Sequence, residues 1–88
     1  MIVDDQSFNI FALEAQLWAK GISCDSAISG RAAIELVHKR LKLIASGSGA
    51  TMYNLILLDY SMPEMDGPMV AKAILDEIRA VKATIQSS

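Results

Sequence analysis

Three observations predict an α/β fold in which a parallel three-stranded sheet is assembled from successive β-α units. Met1-Ile2-Val3 and Leu55-Ile56-Leu57-Leu58 are apolar runs of strand length, and each ends on carboxylates, Asp4-Asp5 and Asp59. Three segments, near 7–20, 31–45 and 68–81, carry apolar residues at helical spacing. The resulting β-α-β-α-β-α order requires right-handed crossovers and therefore parallel strands.

The first strand, Met1 to Val3, is short and lacks leading apolar residues, as if clipped at the front. From Ser7 to Lys20 the spacing predicts a helix whose sheet-facing stripe is Phe8, Phe11, Ala12, Ala15 and Ala19. Ile10, Leu13 and Leu17 form a second apolar flank that expects another neighbour, and Asn9, Gln16 and Lys20 form a narrow polar stripe. Gly21 stops the helix in the left-handed cap position. Ile22 to Ala27 reads as a second strand, and its Ser23, Asp25 and Ser26 suit a sheet edge.

Gly30 opens the second helix, from Arg31 to about Ala45. Ala33, Val37, Leu41 and Ile44 supply its buried stripe, and Glu35 to Lys39 is a favourable i,i+4 pair on the wet side. Ser46-Gly47-Ser48-Gly49 follows a helix and precedes none, so it reads as a linker and not as a phosphate-binding loop.

Leu55 to Leu58 reads as a strand buried on both faces, the pattern of a sheet covered by helices. Pro63 forbids further pairing, and Gly67-Pro68 restarts the chain as a third helix with Pro in its first turn. Val70, Ala73, Ile74, Ile78 and Val81 give that helix its inward stripe, and Asp66 is placed to cap it. The tail from Ala83 to Ser88 carries no further apolar strand.

Composition narrows the function. With 88 residues, 52% apolar content and formal charge -2, the chain makes one small domain. A chain of this size buries only roughly 60 to 65% of its unfolded surface, so its stability is marginal. The acidic balance excludes a basic stripe for nucleic acid, and no run approaches the roughly 18 apolar residues of a membrane span. Early charge at Asp4-Asp5 excludes a signal peptide, so the cytoplasm is the expected compartment. Cys24 stands alone and reads as a small buried thiol in a strand, with neither a disulfide nor a thiolate zinc site available.

Strand ends at the carboxyl edge of an open α/β sheet are where such folds bind ligands. If the first and third strands are neighbours, about 4.8 Å apart, Asp4, Asp5 and Asp59 gather into one cluster. Carboxylates about 4 Å apart repel by roughly 4 kcal/mol at an effective dielectric of 20. A hard divalent cation, Mg2+, offsets that repulsion with oxygen ligands, and would hold a phosphoryl group against Asp59 for attack by its carboxylate. His38, in a helix beside Lys39 and Arg40, reads as a solvated residue and not a phosphodonor, and Met62, Met65 and Met69 read as packing residues.

The residues Val3-Asp4-Asp5, Asn9, Gly30-Arg31-Ala32-Ala33 and, above all, Leu55 through Asp59 with Tyr60-Ser61-Met62-Pro63-Glu64-Met65-Asp66-Gly67 carry a resemblance. The sequence resembles the response-regulator receiver domain of two-component systems, and looks closest to receivers of eukaryotic hybrid histidine kinases. The resemblance implies a flavodoxin-like doubly wound parallel sheet with the first strand between the second and third. It implies Asp59 as phosphoacceptor, Asp4, Asp5 and Asp59 as Mg2+ ligands, and the backbone carbonyl of Ser61 as a further ligand. It also implies a histidine kinase or histidine phosphotransfer protein as partner, in a signalling domain that is not an enzyme and whose parent protein could be membrane-anchored.

Departures from the family pattern accompany the match. The three β-α units of residues 1–88 read as a partial receiver domain, without the fourth-strand Ser or Thr and the fifth-strand Lys. Lys72 and Lys82 fall in the third helix and cannot replace that lysine. The Ser46 to Asn54 loop is longer than typical, Asn54 stands where the family often has Asp, and a fifth helix would cover the second apolar flank of the first helix. An uncovered third-strand edge invites self-association. Two other classes stay in view: a non-catalytic interaction fragment, favoured by those absences, and a haloacid-dehalogenase-like phosphohydrolase, disfavoured because Ser61 stands where that class needs a second aspartate.

Overall fold

The computed structural model describes residues 1–60 and 62–87, with side chains described through residue 81. Six elements follow the predicted order: β1 (Ile2–Val3), α1 (Ser7–Trp18), β2 (Ser26–Ala27), α2 (Gly30–Ala45), β3 (Leu57–Leu58) and α3 (Gly67–Ser87). The sheet runs β2-β1-β3, with both neighbours parallel to β1. This is the truncated flavodoxin-like fold with β1 at its centre. The chain moves from β1 outward to β2, then back past β1 to β3. Right-handed crossovers in opposite directions place α1 and α2 on opposite faces of the sheet.

Successive strand residues point to opposite faces. Val3 therefore joins Ala27 of β2, Ala33, Val37 and Leu41 of α2, and Val70 and Ile74 of α3 in the main core. Ile2, equally buried, belongs to the other face, which α1 covers with Ile10. The α2 stripe lies as its spacing predicts, with Ile44 only half-buried. Ser29 caps α2 by accepting from the Ala32 N–H at 3.1 Å.

Several local expectations are corrected. The stripe of α1 is inverted: Ile10 is buried and Leu13 and Leu17 half-buried, while Phe8, Phe11 and Trp18 are 77%, 72% and 73% exposed. Both flanks are apolar enough to face a sheet, and only the crossover geometry chooses between them. β2 covers just Ser26–Ala27 of the predicted Ile22 to Ala27, because its ladder partner β1 is itself only Ile2–Val3, and the outermost rung is the Ile2 N–H donating to the Asp25 carbonyl at 2.9 Å. Cys24 thus lies half-exposed outside the strand. β3 is not buried on both faces: Ile56 and Leu58 pack against the core, whereas Leu55 and Leu57 are exposed. α1 packs on β1 and leaves that side of β3 open. α3 runs on to Ser87, since no Gly or Pro after Pro68 interrupts it. Among the described residues the i,i+4 ion pair is Lys72–Asp76 at 3.0 Å, and Glu35 and Lys39 make none. Of the methionines near the third strand's loop, Met62 and Met65 pack and Met69 is exposed.

Candidate metal and phosphoacceptor site

The last rungs of the sheet ladder set the acidic residues in place. The Asp4 N–H donates to the Ala27 carbonyl at 3.1 Å, and the Asp59 N–H donates to the Val3 carbonyl at 2.9 Å. Asp4 and Asp59 therefore leave adjacent strands at the same level. Carboxylate oxygens of Asp4, Asp5 and Asp59 lie within 4.8 Å of one another, with Asp5 exposed and the other two half-buried.

Asp4 is oriented before any ligand arrives. One of its oxygens accepts from the Gln6 N–H at 2.9 Å, and the other accepts from Asn9 Nδ2 at 3.2 Å. Each oxygen keeps a further lone pair free. Gln6 escaped the sequence reading because it acts through its backbone, which no side-chain motif reveals. An all-oxygen set of three carboxylates fits a hard cation such as Mg2+. Ser61, whose backbone carbonyl was the fourth predicted ligand, lies outside the described residues.

The segment after Asp59 folds back on itself. The Gly67 N–H donates to the Tyr60 carbonyl at 2.8 Å, closing the loop, and the Met65 N–H donates to the Pro63 carbonyl at 2.7 Å. Glu64 takes the left-handed conformation at φ 68°, unusual for a residue with a side chain. Asp66 caps α3 as predicted, accepting from the Met69 N–H at 3.0 Å.

Other candidates stand apart from this cluster. His38 lies on the α2 surface, 3.5 Å from Glu77. Lys72 is drawn to Asp76. At the opposite end of the sheet, Asp25 Oδ2 accepts from the Tyr53 hydroxyl at 2.6 Å and from Arg40 at 3.1 Å, while the Arg40 guanidinium stacks 4.7 Å above the Tyr53 ring. The Tyr53 hydrogen bond holds the Asp25 carboxyl below its ordinary pKa, with Arg40 assisting, and burial pushes the Tyr53 phenol above its own.

Residues 1–88 match the family described as response regulator receiver domain. The chain belongs to that family. A crystal structure of a CheY-like response regulator receiver domain protein from Methanospirillum hungatei is similar, with a TM-score of 0.69 and 36% identity, over 86% of this chain and 52% of that one. Hybrid signal transduction histidine kinase L of Dictyostelium discoideum is 34% identical over 74 residues, which are 84% of this receiver and 4% of that protein. The chain thus spans about half of the one and a small part of the other. Receiver domains are signalling domains, generally not enzymes, and generally bind Mg2+ at an acidic cluster. Membership disposes of the dehalogenase-like alternative. Among the described residues no helix is long and apolar enough to cross a membrane.

Proposed function

We propose that this receiver accepts a phosphoryl group on Asp59 from a phosphohistidine of a histidine kinase or histidine phosphotransfer protein, as one step of a cytoplasmic phosphorelay. The observation that carries the reading is the convergence of the Asp4, Asp5 and Asp59 carboxylates at the ends of β1 and β3. Asp4, Asp5 and Asp59 would hold Mg2+ together with the Ser61 carbonyl, and residues 1–88 would form one part of a receiver domain. When bound, the cation supplies positive charge to the transferring phosphoryl oxygens.

The residues themselves do the rest. A carboxylate oxygen of Asp59 attacks phosphorus while the phosphorus–nitrogen bond of the donor breaks, and the electron pair stays on the imidazole nitrogen, which then takes up a proton. Asp4, held by Gln6 and Asn9, keeps its place as charge shifts at Asp59. The test is chemical. Phosphorylation by a small-molecule phosphodonor or by a phosphohistidine protein should give a hydroxylamine-labile linkage that vanishes in Asp59→Ala. A hydroxylamine-resistant product, or label surviving Asp59→Ala, rejects the assignment.

A second reading, a receiver fragment that binds a partner without accepting phosphate, draws support from Lys72 being 3.0 Å from Asp76 and not at the aspartate cluster. Partner capture that persists in Asp59→Ala, with no phosphorylation of the unmutated chain, would favour it.

A further inference from the structure

Gly67 is the first residue of α3 and is buried directly beneath the peptide that follows the proposed phosphoacceptor. A Cβ built on Gly67 would stand 2.6 Å from the Asp59 carbonyl oxygen, 3.0 Å from the Tyr60 Cα and 3.3 Å from the Asp59 carbonyl carbon. Those atoms are backbone, so no rotamer change can clear them. The same residue ties the loop shut through its N–H to the Tyr60 carbonyl at 2.8 Å. Asp59 is held on its other side by the ladder bond from its N–H to the Val3 carbonyl at 2.9 Å. The Asp59 peptide is therefore gripped between β1 and the start of α3.

We infer that Gly67 is the positioning residue for Asp59: its missing side chain lets α3 press on the Asp59–Tyr60 backbone and so sets the separation of the Asp59 carboxylate from Asp4 and Asp5. The inference rests on the reading of that cluster as a Mg2+ site. Gly30 is the natural comparison. A Cβ there would meet the Val70 Cγ2 methyl and, at 3.2 Å, the Met65 Cβ, which are side-chain atoms of the core. Crowding at Gly30 strains helix packing. Crowding at Gly67 moves the ligand itself.

Mg2+ affinity, read by calorimetry, separates the two. Gly67→Ala should weaken binding by about 10-fold or more, the scale seen when support of a metal ligand is lost, while Gly30→Ala should change it by less than about twofold even where it lowers the unfolding midpoint. In an Asp59→Asn background Gly67→Ala should add no further loss, because its effect passes through Asp59. A folded Gly67→Ala chain with unaltered affinity overturns the inference, as does equal weakening by both glycine variants. If Gly67→Ala does not fold, the unmutated chain decides: exchange of the Gly67 amide should slow at saturating Mg2+ in the native sequence but not in Asp59→Asn, and exchange indifferent to Mg2+ overturns it. An unmutated chain that binds no Mg2+ rejects the metal reading itself, and the inference falls with it.

Discussion

At the scale of single residues, the aspartates divide by what surrounds them. Asp5 is exposed and lies with Asp4 and Asp59, whereas Asp25 sits at the far end of the sheet, committed to Tyr53 and Arg40. Asp5→Asn should therefore weaken Mg2+ binding on the order of 10-fold or more while Asp25→Asn leaves it unchanged, and a calorimetric titration showing equal effects would contradict the assignment. The Asp25 cluster makes its own prediction. Because its hydrogen bond from Tyr53 lowers the folded pKa, Asp25 contributes stability above about pH 4 that is lost as pH falls through the lower folded value. Tyr53, raised chiefly by burial, contributes below about pH 10 and loses that contribution as pH rises through its folded value. Tyr53→Phe should return the Asp25 carboxyl toward its ordinary pKa in an NMR titration. An unmoved Asp25 would show that Arg40 alone holds it down.

At the scale of elements, α1 and the α2–α3 pair differ in what their apolar residues do. Ile74 of α3 is 4% exposed in the main core, and Phe11 of α1 is 72% exposed. Ile74→Ala should cost about 2 to 5 kcal/mol, a large part of a small domain's stability. Phe11→Ala should stay within about 0.5 kcal/mol, as surface substitutions do. Chemical denaturation of the two variants checks the orientation of α1 directly. A large loss from Phe11→Ala would mean that the stripe with Phe8 and Ala15 faces the sheet after all. The stripe was misassigned because α1 presents two apolar flanks, and periodicity finds a flank without saying what it meets.

At the scale of the whole molecule, the sheet is covered unevenly. The radius of gyration is 13.8 Å, against about 12 Å for a compact chain of this length. Leu55, Leu57, Met1, Ile2 and Leu17 border an open groove of about 630 Å³ that also reaches Asp25, Arg40 and Tyr53 at the end of the sheet away from the aspartate cluster. β3 is an outer strand with an uncharged edge, the kind that pairs with other chains. The 88-residue chain should therefore self-associate with rising concentration in sedimentation velocity, and Leu57→Lys should reduce that association, since lysine on an edge opposes pairing. A chain that stays monomeric at high concentration would show that the edge is protected.

The sequence by itself determined the order of elements, the placement of Asp4, Asp5 and Asp59 at strand ends, the buried stripe of α2 and the stops and caps at Gly21 and Asp66. Gly21 at φ 77° and Asp66 on the Met69 N–H depend on neighbours within a few residues, so local pattern suffices to find them. The receiver motif was legible for the same reason, since Leu55 to Gly67 is one continuous stretch. Tertiary structure alone decided which flank of α1 is buried and how little of β3 is covered, and it supplied the condition, β3 beside β1, on which the expected meeting of Asp59 with Asp4 and Asp5 depended. It alone placed Gly67 against the Asp59 carbonyl and joined Tyr53, Asp25 and Arg40. Those contacts follow from strand register and crossover hand, which depend on the packed whole and leave no local periodicity to read.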